Sequence, residues 1–117
     1  MPETGLRGPY ALDNKIIDQV ITRTSAGAYA LGKVSDETFC VSYVGRSDDD
    51  INDRLKKWVG GKYSEFKFEY YASPKAAFEK ECNLYHDFGE NRKLDNDVHP
   101  KRPDGTNWQC PRCNAFE

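Results

Sequence analysis

Residues 27–45 read Gly27-Ala28-Tyr29-Ala30-Leu31-Gly32-Lys33-Val34-Ser35-Asp36-Glu37-Thr38-Phe39-Cys40-Val41-Ser42-Tyr43-Val44-Gly45. Two runs rich in β-branched, tyrosine and small residues, 28–34 and 39–45, flank the polar Ser35-Asp36-Glu37, the pattern of a β-hairpin. Closing that hairpin with Val34 opposite Thr38 sets Tyr29 directly opposite Tyr43, with both side chains on one face.

Before the hairpin, Ile16, Ile17, Val20 and Ile21 recur at helical spacing behind Asp13, a good N-cap, which predicts a short helix. After it, Ser47 and Asp48 to Asp50 lead into Ile51, Leu55 and Val59, a helical stripe whose acidic start suits the positive end of a helix and which Gly60-Gly61 should end. Phe66, Phe68 and Tyr70 alternate with Lys67 and Glu69, as in a half-buried third strand. Ser73-Pro74 reads as an N-cap followed by proline at the first helical position, opening a helix to about Phe88. The expectation is an α+β fold, a small three-stranded sheet flanked by helices in β-β-α-β-α order. Residues 89–105, rich in Gly, Asn, Asp, Lys and Pro, are expected to form a long loop.

A chain of 117 residues has apolar surface for one core, so residues 1–117 are read as a single domain, with 97–117 an irregular C-terminal tail. No apolar run approaches bilayer length, so no membrane role is expected. Met1 to Tyr10 has neither the basic start nor the apolar stretch of a secretory signal, and a cytoplasmic protein is expected. The net charge of −2 and pI near 5.7 exclude a protein that coats nucleic acid electrostatically. Any nucleic-acid contact must be local.

On the last helix, Ala77, Phe78, Leu84, Tyr85 and Phe88 share one arc, and Glu81 falls inside it. A carboxylate among apolar groups needs a cation or hydrogen-bond donors. Either a metal ion meets it, or it pairs at the rim of the core with an arginine such as Arg54.

Taken in order, Gly27-Ala28-Tyr29, Tyr43-Val44-Gly45, Arg54-Leu55 on the next helix and Glu81 on a later one resemble the GIY-YIG nuclease family. The resemblance spans roughly residues 25–96, a GIY-YIG-like nuclease core. It implies a metal-dependent endonuclease acting on nucleic acid, with DNA the expected form. Carried over by position, the motif tyrosines are Tyr29 and Tyr43, the helix arginine is Arg54, the metal-binding glutamate is Glu81, and Asn96 corresponds to an asparagine that follows the last helix in many members. The spacer between the tyrosines is longer than is common, one extra residue stands between Gly45 and Arg54, and Trp58 occupies a position where the family often has histidine or tyrosine. An indole cannot act as a base.

Phosphodiester hydrolysis needs an activated water, neutralisation of phosphoryl charge and help for the leaving oxygen. Glu81 would hold Mg²⁺ or Mn²⁺, a hard ion content with few carboxylates and several waters. Arg54 suits the non-bridging oxygens. The resemblance makes Tyr29 the general base, with Arg46 the nearby cation that eases its ionisation, and Tyr43 the hydrogen-bonding partner of phosphate or water. Arg46, Lys56, Lys57, Lys62, Lys101 and Arg102 either line a groove or are solvated surface charge. For the tyrosines the alternative is ordinary packing on the sheet.

Cys110-x-x-Cys113 is half of a typical zinc site. Cys82 and His86, one helical turn apart, complete a Cys₃His set that would staple the tail to the core, with His99 a competing ligand. The alternative is that these thiols are simply reduced, with Cys82 a small buried residue. Cys40 is read as a core residue. Besides the nuclease, a catalytically inactive module binding nucleic acid or a protein partner also fits, using Trp58 or Trp108. A redox role for Cys-x-x-Cys is disfavoured by its place in a proline-rich tail rather than at a helix start.

Overall fold

The computed structural model describes residues 4–96, 99–103 and 105–113. Alternation along β2 (Gly27–Ser35) sends Tyr29 and Leu31 to one side of the sheet and Ala28 and Ala30 to the other, all four fully buried. β2 pairs antiparallel with β3 (Thr38–Ser47) and with β4 (Glu65–Tyr70). The sheet has four strands rather than the expected three, because β1 (Arg7–Ala11) pairs with the far edge of β4 in the order β1-β4-β2-β3. Gly8 and Pro9 hid this strand from sequence reading. Proline is tolerated on an edge strand, and the β1–β4 register shifts between Arg7 and Tyr10.

The hairpin register also differs from expectation. Asp36 and Glu37 both have positive φ, 52° and 65°, making a two-residue turn in which Ser35 pairs with Thr38. An irregularity between Leu31 and Gly32 then places Tyr29 opposite Gly45 and Leu31 opposite Tyr43. The two tyrosines share a face as expected, but lie diagonally instead of directly opposite.

Of the remaining elements, α1 (Asn14–Val20) starts at Asp13, whose carboxylate accepts from the N–H groups of Lys15 and Ile16. α2 (Ile51–Lys56) is capped by Asp50, which accepts from Asp53 N–H. α3 (Pro74–Asp87) is capped by Ser73, with proline in its first turn. A short α4 (Glu90–Lys93) interrupts the expected long loop. α1 and α2 cover one face, packing Ile17, Ile51 and Leu55 against Tyr29, Leu31, Phe66 and Phe68. α3 lies across the other face, where Ala30 and Val44 meet Leu84, Tyr85 and Leu94. The tail adds a third cluster in which Phe78 and Cys82 of α3 meet Cys110, with Trp108 alongside. Cys40 is half-buried, not a core residue.

β3 is an edge strand, and its outer backbone is covered. Asn96 accepts from Val44 N–H at 3.0 Å and donates to Val44 C=O at 2.8 Å, while Asp95 N–H donates to Ser42 C=O at 2.6 Å. These bonds occupy groups that would otherwise template another strand. No helix among the described residues is long and apolar enough to cross a membrane.

Candidate functional site

Gly45 decides how the site is built. A Cβ there would come within 2.5 Å of the Tyr29 Cζ and hydroxyl atoms. The absence of a side chain lets the Tyr29 ring cross the edge strand, although the residue is only 2% exposed. Its hydroxyl lines a cavity of about 480 Å³ with Tyr43, Arg46, Arg54, Glu81 and Asn96. Every residue that the sequence order singled out for phosphodiester chemistry therefore borders one space, although the chain places them on β2, β3, α2, α3 and the segment after α4. Arg46 and Glu81 come from the α3 side of the sheet and the tyrosines from the α2 side. The cavity lies at the β3 edge, where the two sides meet.

Inside it, Trp58 Nε1–H donates to the Tyr29 hydroxyl oxygen at 3.0 Å. The Trp58 ring lies against Tyr43 and Tyr63, with centroids 4.7 and 5.8 Å away. Burial pushes the Tyr29 phenol well above its ordinary value, against the opposing effects of the Trp58 N–H and of Arg54. Tyr29 is thus a neutral phenol in this state, and its own O–H remains to donate.

The cation that acts on Tyr29 is Arg54, correcting the expectation that Arg46 would do so. Arg46 is committed elsewhere. It donates to Glu81 Oε1 at 2.6 Å, to Asp48 Oδ1 at 2.9 Å and to the Lys101 carbonyl at 2.6 Å, and its guanidinium stacks over the Phe78 ring at 5.1 Å. The Arg46 and Glu81 side chains are only 13% and 10% exposed. Burial opposes both charges. Glu81 and Asp48 keep Arg46 cationic, while desolvation outweighs the pull of Arg46 and holds the Glu81 carboxyl above its usual range. The buried glutamate therefore has an arginine partner, as one of its two readings required, but the partner is Arg46 rather than Arg54. Exposed Arg54 makes no ion pair with a described residue.

Compared with known proteins, the chain has no significant match to any family model, curated protein or solved structure.

Glu81 is the residue expected to hold a catalytic ion. Arg46 occupies one oxygen of Glu81. Glu81 itself lines the cavity. A single carboxylate lining a cavity fits a largely hydrated hard cation. A separate cluster is formed by His86 of α3, His99, Cys110 and Cys113, whose ligand atoms lie within 4.8 Å of one another, and His99 also lines the cavity. This cluster can hold a metal ion such as zinc.

Its composition corrects the expected ligand set, since His99 stands where Cys82 was placed. Cys82 faces inward from α3, fully buried against Phe78, with its thiol kept protonated by burial and hydrogen-bonded to Cys110. Helical spacing put Cys82 and His86 on a common side but left out the core contact that takes Cys82. Burial opposes ionisation of Cys110 too, but the Arg112 backbone N–H and the surrounding His99, Cys82 and Cys113 side chains overcome it, bringing the thiol down to about 6.

Sequence reading also missed Tyr63, whose hydroxyl donates to Asp95 at 2.8 Å at the cavity wall. Of the basic residues proposed for a groove, Arg46 and Lys101 border the cavity. Lys56 pairs with Asp18, Lys57 with Asp53 and Lys62 with Asp95, and Arg102 donates to the Trp108 carbonyl.

Proposed function

We propose that this chain is a metal-dependent endonuclease of the GIY-YIG type that hydrolyses phosphodiester bonds in nucleic acid, with DNA the expected substrate. The observation that carries the reading is the convergence of Tyr29, Tyr43, Arg54 and Glu81 on one cavity, although they are scattered over more than fifty positions. Arg54, exposed and without an ion-pair partner among the described residues, is the group that would meet the non-bridging phosphate oxygens, its fork suited to two of them at once. The Tyr29 O–H donates to the phosphate or to the attacking water. Tyr29 acts as a base only once further positive charge at the site offsets the burial that raises its phenol. Glu81, which lines the cavity, would hold Mg²⁺ or Mn²⁺. The bound ion would supply Lewis-acid stabilisation of the phosphoryl oxygens and the leaving group. The net negative charge of the chain and, among the described residues, one arginine at the cavity without an ion pair fit a small footprint on the nucleic acid.

A second reading, a binding module on the same fold that does not cut, rests on two contacts. Trp58 gives Tyr29 a donor that cannot take its proton, and Arg46 engages the oxygen of Glu81 that a metal would also want. The deciding experiment incubates plasmid, branched and single-stranded substrates with wild type and Glu81→Gln, with and without Mg²⁺ or Mn²⁺, and measures binding by anisotropy in parallel. Metal-dependent cutting that Glu81→Gln loses supports the nuclease. Binding by both proteins without cutting by folded wild type would turn the assignment to the module.

A further inference from the structure

The cluster of His86, His99, Cys110 and Cys113 adjoins the cavity, which His99 also lines. We propose that it binds one Zn²⁺ per chain in a closed Cys₂His₂ site, and that this ion fixes the segment whose Lys101 carbonyl holds Arg46 in the cavity wall.

The geometry argues for zinc in several ways. Tetrahedral zinc with its ordinary bond lengths sets each nitrogen–sulfur edge at about 3.6 Å. Here His86 Nε2 lies 3.4 Å from Cys110 Sγ, and His99 Nε2 lies 3.3 Å from Cys113 Sγ. Both imidazoles present Nε2 because Nδ1 is used elsewhere. His86 Nδ1 donates to Glu90 at 2.5 Å, and His99 Nδ1 donates to the Pro100 carbonyl at 2.8 Å. A neutral imidazole whose Nδ1–H is so engaged carries its lone pair on Nε2, and a carboxylate or carbonyl behind a histidine is the usual outer support of a zinc ligand. The Cys110 sulfur has matching support, with the Arg112 backbone N–H and the Cys82 thiol directed at it. Two thiolates with two imidazoles neutralise a divalent ion and leave no open position, so the site is structural.

The four ligands come from α3, the segment after α4, and the tail, parts of the chain that no strand pairing joins. The metal would be their main crosslink, and its binding energy would count as folding energy of the tail. His99 and Lys101 are two residues apart, and the Lys101 carbonyl accepts from Arg46 at 2.6 Å. Metal binding at His99 and the position of Arg46 are therefore coupled, and the coupling acts in both directions.

The test begins with the protein purified without added metal, assayed for zinc by mass spectrometry and then exchanged with Co²⁺. One zinc per chain is expected, with the visible absorption of tetrahedral cobalt and a thiolate charge-transfer intensity that counts two sulfurs. Cys82→Ala should keep this spectrum, whereas His99→Ala and Cys113→Ser should lose it. Absence of metal in the wild type, a three-sulfur spectrum, or loss in Cys82→Ala with retention in His99→Ala would overturn the assignment. The sulfur count is taken on wild type, so it stands even where a variant folds poorly. For the coupling, Arg46→Lys keeps a cation beside Glu81 but loses the fork that reaches the Lys101 carbonyl. It should weaken zinc about tenfold in a chelator competition, roughly the worth of one charge-assisted hydrogen bond. Unchanged affinity would refute the link. None of these readouts depends on cleavage.

Discussion

Replacing Arg46 by alanine would leave the Glu81 carboxylate buried beside Phe78 without its cation. The pair is close, 2.6 Å, and both side chains are nearly covered, so the cost is that of an uncompensated buried charge, about 3–5 kcal/mol. The Arg46–Asp48 contact adds at most about 1 kcal/mol, since Asp48 is 43% exposed. A domain holds only about 5–15 kcal/mol in total, so the variant should stand near the edge of folding. The loss should also depend on pH. Burial raises the Glu81 carboxyl in the folded state. Its contribution to stability is therefore fully present below the ordinary glutamate pKa of about 4.3 and is lost as pH rises through the folded value. Without Arg46, which pulls that value down, the folded pKa moves further up and the window of loss widens. The deficit of Arg46→Ala should thus be largest near neutral pH and shrink as the pH is lowered to about 5. Urea unfolding of both proteins in the same metal state, followed by tryptophan fluorescence at the two pH values, measures it directly. A deficit below about 1 kcal/mol that is equal at both would mean a solvated surface pair, and the account of a buried latch would be wrong.

Three further outcomes can be checked with simple variants. Gly45→Ala should cost about 1–3 kcal/mol by overpacking against the Tyr29 ring, seen as a lower melting temperature and a changed near-UV aromatic signal. Trp58→Phe removes the donor to the Tyr29 hydroxyl and should lose about 1 kcal/mol, whereas Trp58→His, which restores a group able to take a proton, should raise the metal-dependent cleavage rate over wild type in a plasmid-nicking assay. Binding to short DNA measured by anisotropy across a salt series should give a log–log slope of only about −2, as expected when Arg54 and Lys101 supply the phosphate contacts, and a much steeper slope would point to a wider basic surface outside the cavity.

Local chemistry in the chain was enough to place most elements. Asp13, Asp50 and Ser73 cap the three longer helices as their side chains predict. The alternation of Phe66, Phe68 and Tyr70, and the two runs around Ser35-Asp36-Glu37, mark strands because side chains on a pleated sheet repeat every two residues. The order of Tyr29, Tyr43, Arg54 and Glu81 along those elements was also legible, and it picked out the residues that border the cavity. Periodicity says which way a side chain faces, but not what it meets. β1 stayed hidden because an edge strand with Gly8 and Pro9 gains its pairing only from β4, a partner more than fifty residues away. The hairpin register depended on a two-residue turn and a bulge, each shifting the pairing by one position. Spacing left the partner of Glu81 and the fourth metal ligand open between groups of like chemistry. Packing chose Arg46, because it shares the face of Val44 beneath α3, and His99, because the core contact with Phe78 had already taken Cys82.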